Sequence, residues 1–68
     1  MDITVKLSRN NETKKVNLEQ DSKVEDLLKK INLKPDTVIT MHDGKPVPID
    51  EELTDGQEII ILQVSSGG

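Results

Sequence analysis

Residues 58–68 read Glu58-Ile59-Ile60-Ile61-Leu62-Gln63-Val64-Ser65-Ser66-Gly67-Gly68. The unbroken Ile59–Leu62 run predicts a central β-strand over Glu58–Val64 with apolar residues on both faces. Ser65 to Gly68 are small and polar and offer nothing to pack. The expected division is therefore a folded domain over 1–64 and a flexible tail over 65–68 ending in diglycine.

Upstream of that strand, turn signals come in quick succession. Asp55-Gly56 predicts a turn, and Asp50-Glu51-Glu52-Leu53 has the composition of one helical turn. Pro46 and Pro48 cannot donate to a ladder, so the strand that carries them must be short and lie at an edge. Asp43-Gly44 suits a type I′ hairpin, which needs positive φ at both central residues. Val38 to Met41 is the strand that enters it.

The N-terminal half has the other two kinds of element. Ile3-Thr4-Val5-Lys6-Leu7 alternates strictly, the pattern of a half-buried strand. Ser8 to Asn11 is a polar turn, and Thr13 to Leu18 alternates again with Val16 and Leu18 inward, completing a hairpin. Ser22 and Glu25 have capping-box spacing. Val24, Leu27, Leu28 and Ile31 follow at i, i+3, i+4 and i+7, so one helix presents one apolar stripe, with Pro35 blocking its continuation.

Composition removes several classes of function. With 68 residues the chain is one domain, and with no Phe, Trp or Tyr its core must be aliphatic, with Met1 and Met41 as gap-fillers. Such a core has no room for an enclosed substrate or cofactor cavity. The absence of Cys excludes disulfides, thiolate metal sites and a cysteine nucleophile, and fits a cytoplasmic location. A formal net charge of −4 argues against nucleic acid as the main partner, and the longest apolar run is too short to cross a membrane.

One helix covers one face of a sheet. If Ile59 and Ile61 join Ile3 and Val5 beneath it, Ile60 and Leu62 fall on the opposite face, which is either covered by a loop or exposed as an interaction surface. That surface, continued through Val64, Ser65 and Ser66, is the expected partner-binding region.

The order β-β-α-β-β-β, the Asp43-Gly44 hairpin, the Leu53-Thr54-Asp55-Gly56 turn and the terminal Gly67-Gly68 together resemble the ubiquitin-like sulfur-carrier and modifier family. That family includes the thiamine-type carriers, the molybdopterin-synthase small subunit, the ubiquitin-related modifier and the archaeal small modifier proteins. The resemblance implies an α+β, β-grasp (ubiquitin-like) fold with a mixed five-stranded sheet, its first and last strands parallel at the centre. It implies that the chain is not itself an enzyme and binds no cofactor. Its partner would be an E1-like adenylating enzyme, using ATP and magnesium to activate the carboxylate of Gly68, with Gly67 beside it. A thiocarboxylate would then serve a sulfur-acceptor enzyme, or an isopeptide would form with target-protein lysines; the chain itself would be a monomer. Ser65-Ser66 stands where ubiquitin has an arginine before its diglycine, which argues against a ubiquitin-type activating enzyme. Asp43 stands where thiamine carriers usually have asparagine.

Chemistry suits such a tail independently of the resemblance. A carboxylate is a poor acyl donor until it carries a leaving group, and glycine, lacking Cβ, passes a narrow channel to a buried nucleotide. Other candidates are weaker. His42 has no second metal ligand near it in sequence, Asp50, Glu51 and Glu52 lack a companion nucleophile, and Lys45 is a candidate conjugation acceptor only through its resemblance to a chain-forming lysine of ubiquitin. The alternative reading is a non-covalent β-grasp module that docks through its open sheet face.

Overall fold

The structure is a computed structural model that describes residues 1–64; the expectations placed on Ser65, Ser66, Gly67 and Gly68 lie outside the described residues. Strands β1 (Asp2–Leu7) and β2 (Glu12–Asn17) precede the helix α1 (Val24–Lys30) and a short 3-10 turn (Pro35–Thr37). Strands β3 (Val38–His42), β4 (Lys45–Pro46) and β5 (Glu58–Gln63) follow. The sheet order is β2-β1-β5-β3-β4, with β5 parallel to β1 and antiparallel to β3. This is the expected mixed sheet, with β5 at its centre and the proline-bearing β4 at an edge.

Register sorts the side chains into two faces. Val5 lies opposite Ile59 and Leu7 opposite Ile61. Ile3, Val5, Ile59 and Ile61 are fully buried against Val24, Leu27 and Leu28 of α1, with Val16, Leu18, Val38 and Leu53 closing the core. Met1 packs against this cluster. Met41 does not, contrary to expectation: it is paired with Ile60, and its odd position in β3 puts it on the face away from the helix.

The ends of α1 differ from the sequence reading. Ser22 is not the cap, since its hydroxyl donates to the Glu19 carbonyl (2.7 Å). The cap falls one residue later, where the Lys23 N–H donates to the Asp26 carboxylate (2.9 Å). The next free donors of the first turn are met by backbone: Val24 N–H reaches the Glu51 carbonyl (3.0 Å) and Glu25 N–H the Ile49 carbonyl (2.9 Å). Those carbonyls are why residues 50–53 form no helical turn: they lie alongside the start of α1, and Leu53 N–H donates to Ser22 O (2.8 Å). At the other end the helix stops before Pro35 acts. Asn32 sits at φ +63°, and N–H groups of Asn32 and Leu33 bond the Lys29 and Leu28 carbonyls, a Schellman ending. The Asp43-Gly44 turn has the expected positive φ at both residues (+54° and +78°), and Gly56 of the second turn is also left-handed (+82°).

Candidate functional site

The face of the sheet opposite α1 is built from even positions of β5 and odd positions of β3. Ile60 lies opposite Met41, and Leu62 opposite Ile39. Ile60, Leu62 and Met41 are half-buried, while Ile39 remains 42% exposed. Val64, one residue past the strand and 55% exposed, continues the alternation of Ile60 and Leu62. The result is a contiguous aliphatic stripe along the centre of the sheet. On the β1 side it is bounded by a Lys6–Glu58 ion pair (3.3 Å) whose side chains are both half exposed. Such a surface pair contributes little to stability but keeps the rim of the patch charged.

Position, more than composition, sets this stripe apart. β5 is hydrogen-bonded along both sides, and one further bond, from Val64 N–H to the Thr37 carbonyl (3.0 Å), extends its pairing to the last described residue. Ile60, Leu62 and Val64 therefore stand on the strand that leads directly into the C-terminal residues.

Sequence reasoning placed Ile60 and Leu62 on this face, and the register agrees. It missed Ile39 and Met41. The signal was available once β3 was paired beside β5, because directly opposed residues share a face. Lys45 is exposed in the edge strand β4, opposite His42, and not within the stripe. His42 is half-buried at the end of β3, its Nδ1 3.0 Å from the Glu58 carbonyl oxygen, so it ties β3 to the start of β5. Asp50, Glu51 and Glu52 are exposed. Among the described residues no group of three His, Cys, Asp or Glu side chains is arranged to hold a metal ion. No helix among them is long and apolar enough to cross a membrane.

On the helix side, where no cavity was expected, an open cleft of about 460 Å³ lies beyond the end of α1. It is a surface feature and leaves the core closed. Leu7, Ile31 and Leu33 supply its apolar lining, and Arg9, Lys14 and Gln63 border it.

Comparison with known proteins decides the family. The model of small archaeal modifier protein 2 matches residues 1–64. The chain belongs to that family. Small archaeal modifier protein 1 from Haloferax volcanii has the same fold, with a TM-score of 0.76 at 18% identity and full coverage of both chains. The ubiquitin of Caldiarchaeum subterraneum superposes with a TM-score of 0.79, also at 18% identity, over 100% of this chain and 98% of its own. An uncharacterized protein of Archaeoglobus fulgidus is 35% identical over 43 residues, which span 63% of either chain. The expected β-grasp architecture and modifier family are thus both found.

Proposed function

We propose that the chain is a ubiquitin-like sulfur carrier, protein modifier or both, activated at the carboxylate of Gly68 by a separate adenylating enzyme. The observation that carries this reading is the aliphatic stripe on β5, the strand that leads into Ser65-Ser66-Gly67-Gly68. Membership in the modifier family supports it.

In this reading the Gly68 carboxylate attacks the α-phosphorus of ATP, with magnesium held by the partner, and pyrophosphate leaves. A thiol of the partner then displaces AMP from the acyl adenylate to give a thioester, or a partner persulfide displaces it to give an acyl disulfide. A second partner thiol attacks the S–S bond of that acyl disulfide, releasing the thiocarboxylate and leaving a disulfide on the partner. A lysine amine on a target protein displaces the thiol to form an isopeptide, or an acceptor enzyme takes the sulfur. This chain supplies the acyl group and a docking face; its partners supply the catalysis. The four residues after Val64 reach at most about 14 Å when fully extended. An enzyme seated on Ile60 and Leu62 must therefore hold its nucleotide within that radius of the end of β5. Lys45, exposed on β4, is the proposed acceptor for linkage to a further copy.

A second reading, favoured by the exposure of Ile39 and Val64, is a non-covalent module that uses the same stripe. Intact-mass spectrometry of the untagged protein from its native host, with a blot for heavier conjugates, separates the two. A mass gain corresponding to sulfur in place of oxygen supports the carrier role, and conjugates linked through Gly68 support the modifier role. If only the free acid is found, in sulfur-limited as well as rich growth, the covalent reading is overturned. Loss of partner binding in Ile60→Arg, with binding retained when Gly67 and Gly68 are deleted, would then identify the non-covalent module.

A further inference from the structure

The stretch Lys45-Pro46-Val47-Pro48 is stiffened by its covalent chemistry. Each proline locks its own φ at about −65°, and the residue before each, Lys45 or Val47, is pushed towards extended geometry. In an extended segment alternate side chains point the same way, so Pro46 and Pro48 share one side and Val47 takes the other. The structure has that arrangement: Val47 is half-buried against the core, and both prolines are exposed.

Bonds from distant residues fix the segment in place. Thr40 holds Val47 twice: Val47 N–H donates to the Thr40 carbonyl (2.9 Å), and the Thr40 hydroxyl donates to the Val47 carbonyl (2.9 Å). The Pro48 carbonyl accepts from Glu51 N–H (3.2 Å), and the Ile49 carbonyl accepts from Glu25 N–H at the start of α1 (2.9 Å). Pro46 lies opposite Met41, at the outer margin of the stripe on β5; Pro48 and Ile49 lead from there to the helix. Ile49 is as exposed as Ile39 (42%), although its backbone is tied to the helix side of the sheet. Pro46, Pro48 and Ile49 thus form a rigid apolar ridge.

Charge and composition select the partner. Lys45, the one cation of residues 35–68, precedes the ridge, and Asp50, Glu51 and Glu52 follow it, all exposed. Lys23 is bridged to Glu52 through the backbone, so that carboxylate has a cation on the neighbouring segment. Asp50 and Glu51 form no ion pair among the described residues. Prolines held in an extended segment are recognised by grooves lined with aromatic rings. The chain has no Phe, Trp or Tyr, so a second copy cannot supply such a groove.

We propose that this ridge is a docking site for a partner groove lined with aromatic side chains and carrying Arg or Lys at one end. The aromatic rings pack on Pro46 and Pro48, an apolar pocket takes Ile49, and the cations meet Asp50 and Glu51. Because the ridge is held in one conformation before binding, little ordering cost is added when the partner arrives. The site is independent of any chemistry at Gly68.

The test is an NMR titration of the isotope-labelled full chain with a disulfide-closed hairpin peptide that carries two Trp on one face and two Arg at one end. Upfield ring-current shifts are expected at the Pro46 and Pro48 ring protons, with saturable shifts at the Ile49 methyls and the Asp50 and Glu51 amides, weakening with added salt. The Pro46→Ala/Pro48→Ala variant should bind about tenfold more weakly, and so should Asp50→Lys/Glu51→Lys, each checked for a native circular dichroism spectrum. A hairpin with Leu in place of Trp should lose the upfield shifts and most of the affinity. The proposal is overturned by no saturable shift, by shifts confined to Ile39, Ile60 and Leu62, by equal affinity for the Leu hairpin or for one with Glu in place of Arg, or by unchanged binding in the two variants.

Discussion

Replacing Ile61 and Ile60 by alanine, one at a time, tests the two-faced reading of β5 with one residue type at adjacent positions. Ile61 is fully buried beneath α1, whereas Ile60 is half-buried on the opposite face. Ile61→Ala removes three carbons from the core, about 2.4 kcal/mol at roughly 0.8 per carbon. If the surroundings relax over half of the vacated space, a residual cavity of about 40 Å³ adds about 1 kcal/mol. The expected loss is about 3.5 kcal/mol, against a total stability of about 3–10 kcal/mol for a domain of 68 residues. At Ile60 about half of the transfer term applies and no closed cavity forms, so the loss is about 1 kcal/mol. With a urea slope near 1 kcal/mol per molar, the two midpoints should differ by about 2 M or more. Far-UV circular dichroism is the readout, since the chain has no Trp or Tyr to report by fluorescence. Should Ile61→Ala be unfolded without denaturant, Ile61→Val, costing about 1 kcal/mol, takes its place against a near-neutral Ile60→Val. Equal losses at the two positions would refute the assignment of Ile60 to an open face.

Three further outcomes follow from local geometry. Asn32 occupies a left-handed position at φ +63°, so Asn32→Gly should raise the thermal midpoint slightly while Asn32→Val costs about 1–2 kcal/mol, read by thermal melts. Thr40 is buried and its hydroxyl donates to the Val47 carbonyl (2.9 Å), so Thr40→Val should lose about 1–2 kcal/mol in urea titration, although its volume is kept. Deleting Gly67 and Gly68 should leave the urea midpoint unchanged, because the two glycines have no side chain to bury, and should abolish every adduct seen by mass spectrometry.

Features governed by a single strong constraint were legible in the sequence. The Ile59–Leu62 run required a centre strand, the prolines at 46 and 48 required an edge, and Asp43-Gly44 required positive φ. Each of these residues leaves the backbone few alternatives. The misreadings arose where a distant partner supplied what a local motif was expected to supply. Ser22 and Glu25 have capping-box spacing, yet carbonyls of Ile49 and Glu51 arrive from the far end of the chain and meet the helix donors. That long-range bonding moves the cap to Lys23 and holds residues 50–53 alongside the helix start. Met41 was misplaced for a related reason: apolar character is visible in sequence, but the face it occupies depends on pairing with β5. The cleft was invisible because it lies where two elements end near one another, β1 at Leu7 and α1 at Ile31 and Leu33.

The location of β5 also bears on how a carrier of this kind works. Loss of an edge strand leaves a sheet largely intact, but β5 holds ladders on both sides, so its pairing is among the last to open. The aliphatic stripe and the start of the C-terminal segment are therefore parts of one rigid strand, with the Val64–Thr37 bond as its final rung. On the proposed activation, a partner docked on Ile60 and Leu62 would fix the origin of that segment, and the conformational cost of bringing Gly68 to a nucleotide would fall on the four residues after Val64. At about 1–2 kcal/mol per ordered residue that cost is about 4–8 kcal/mol, within what a well-packed apolar contact supplies on binding.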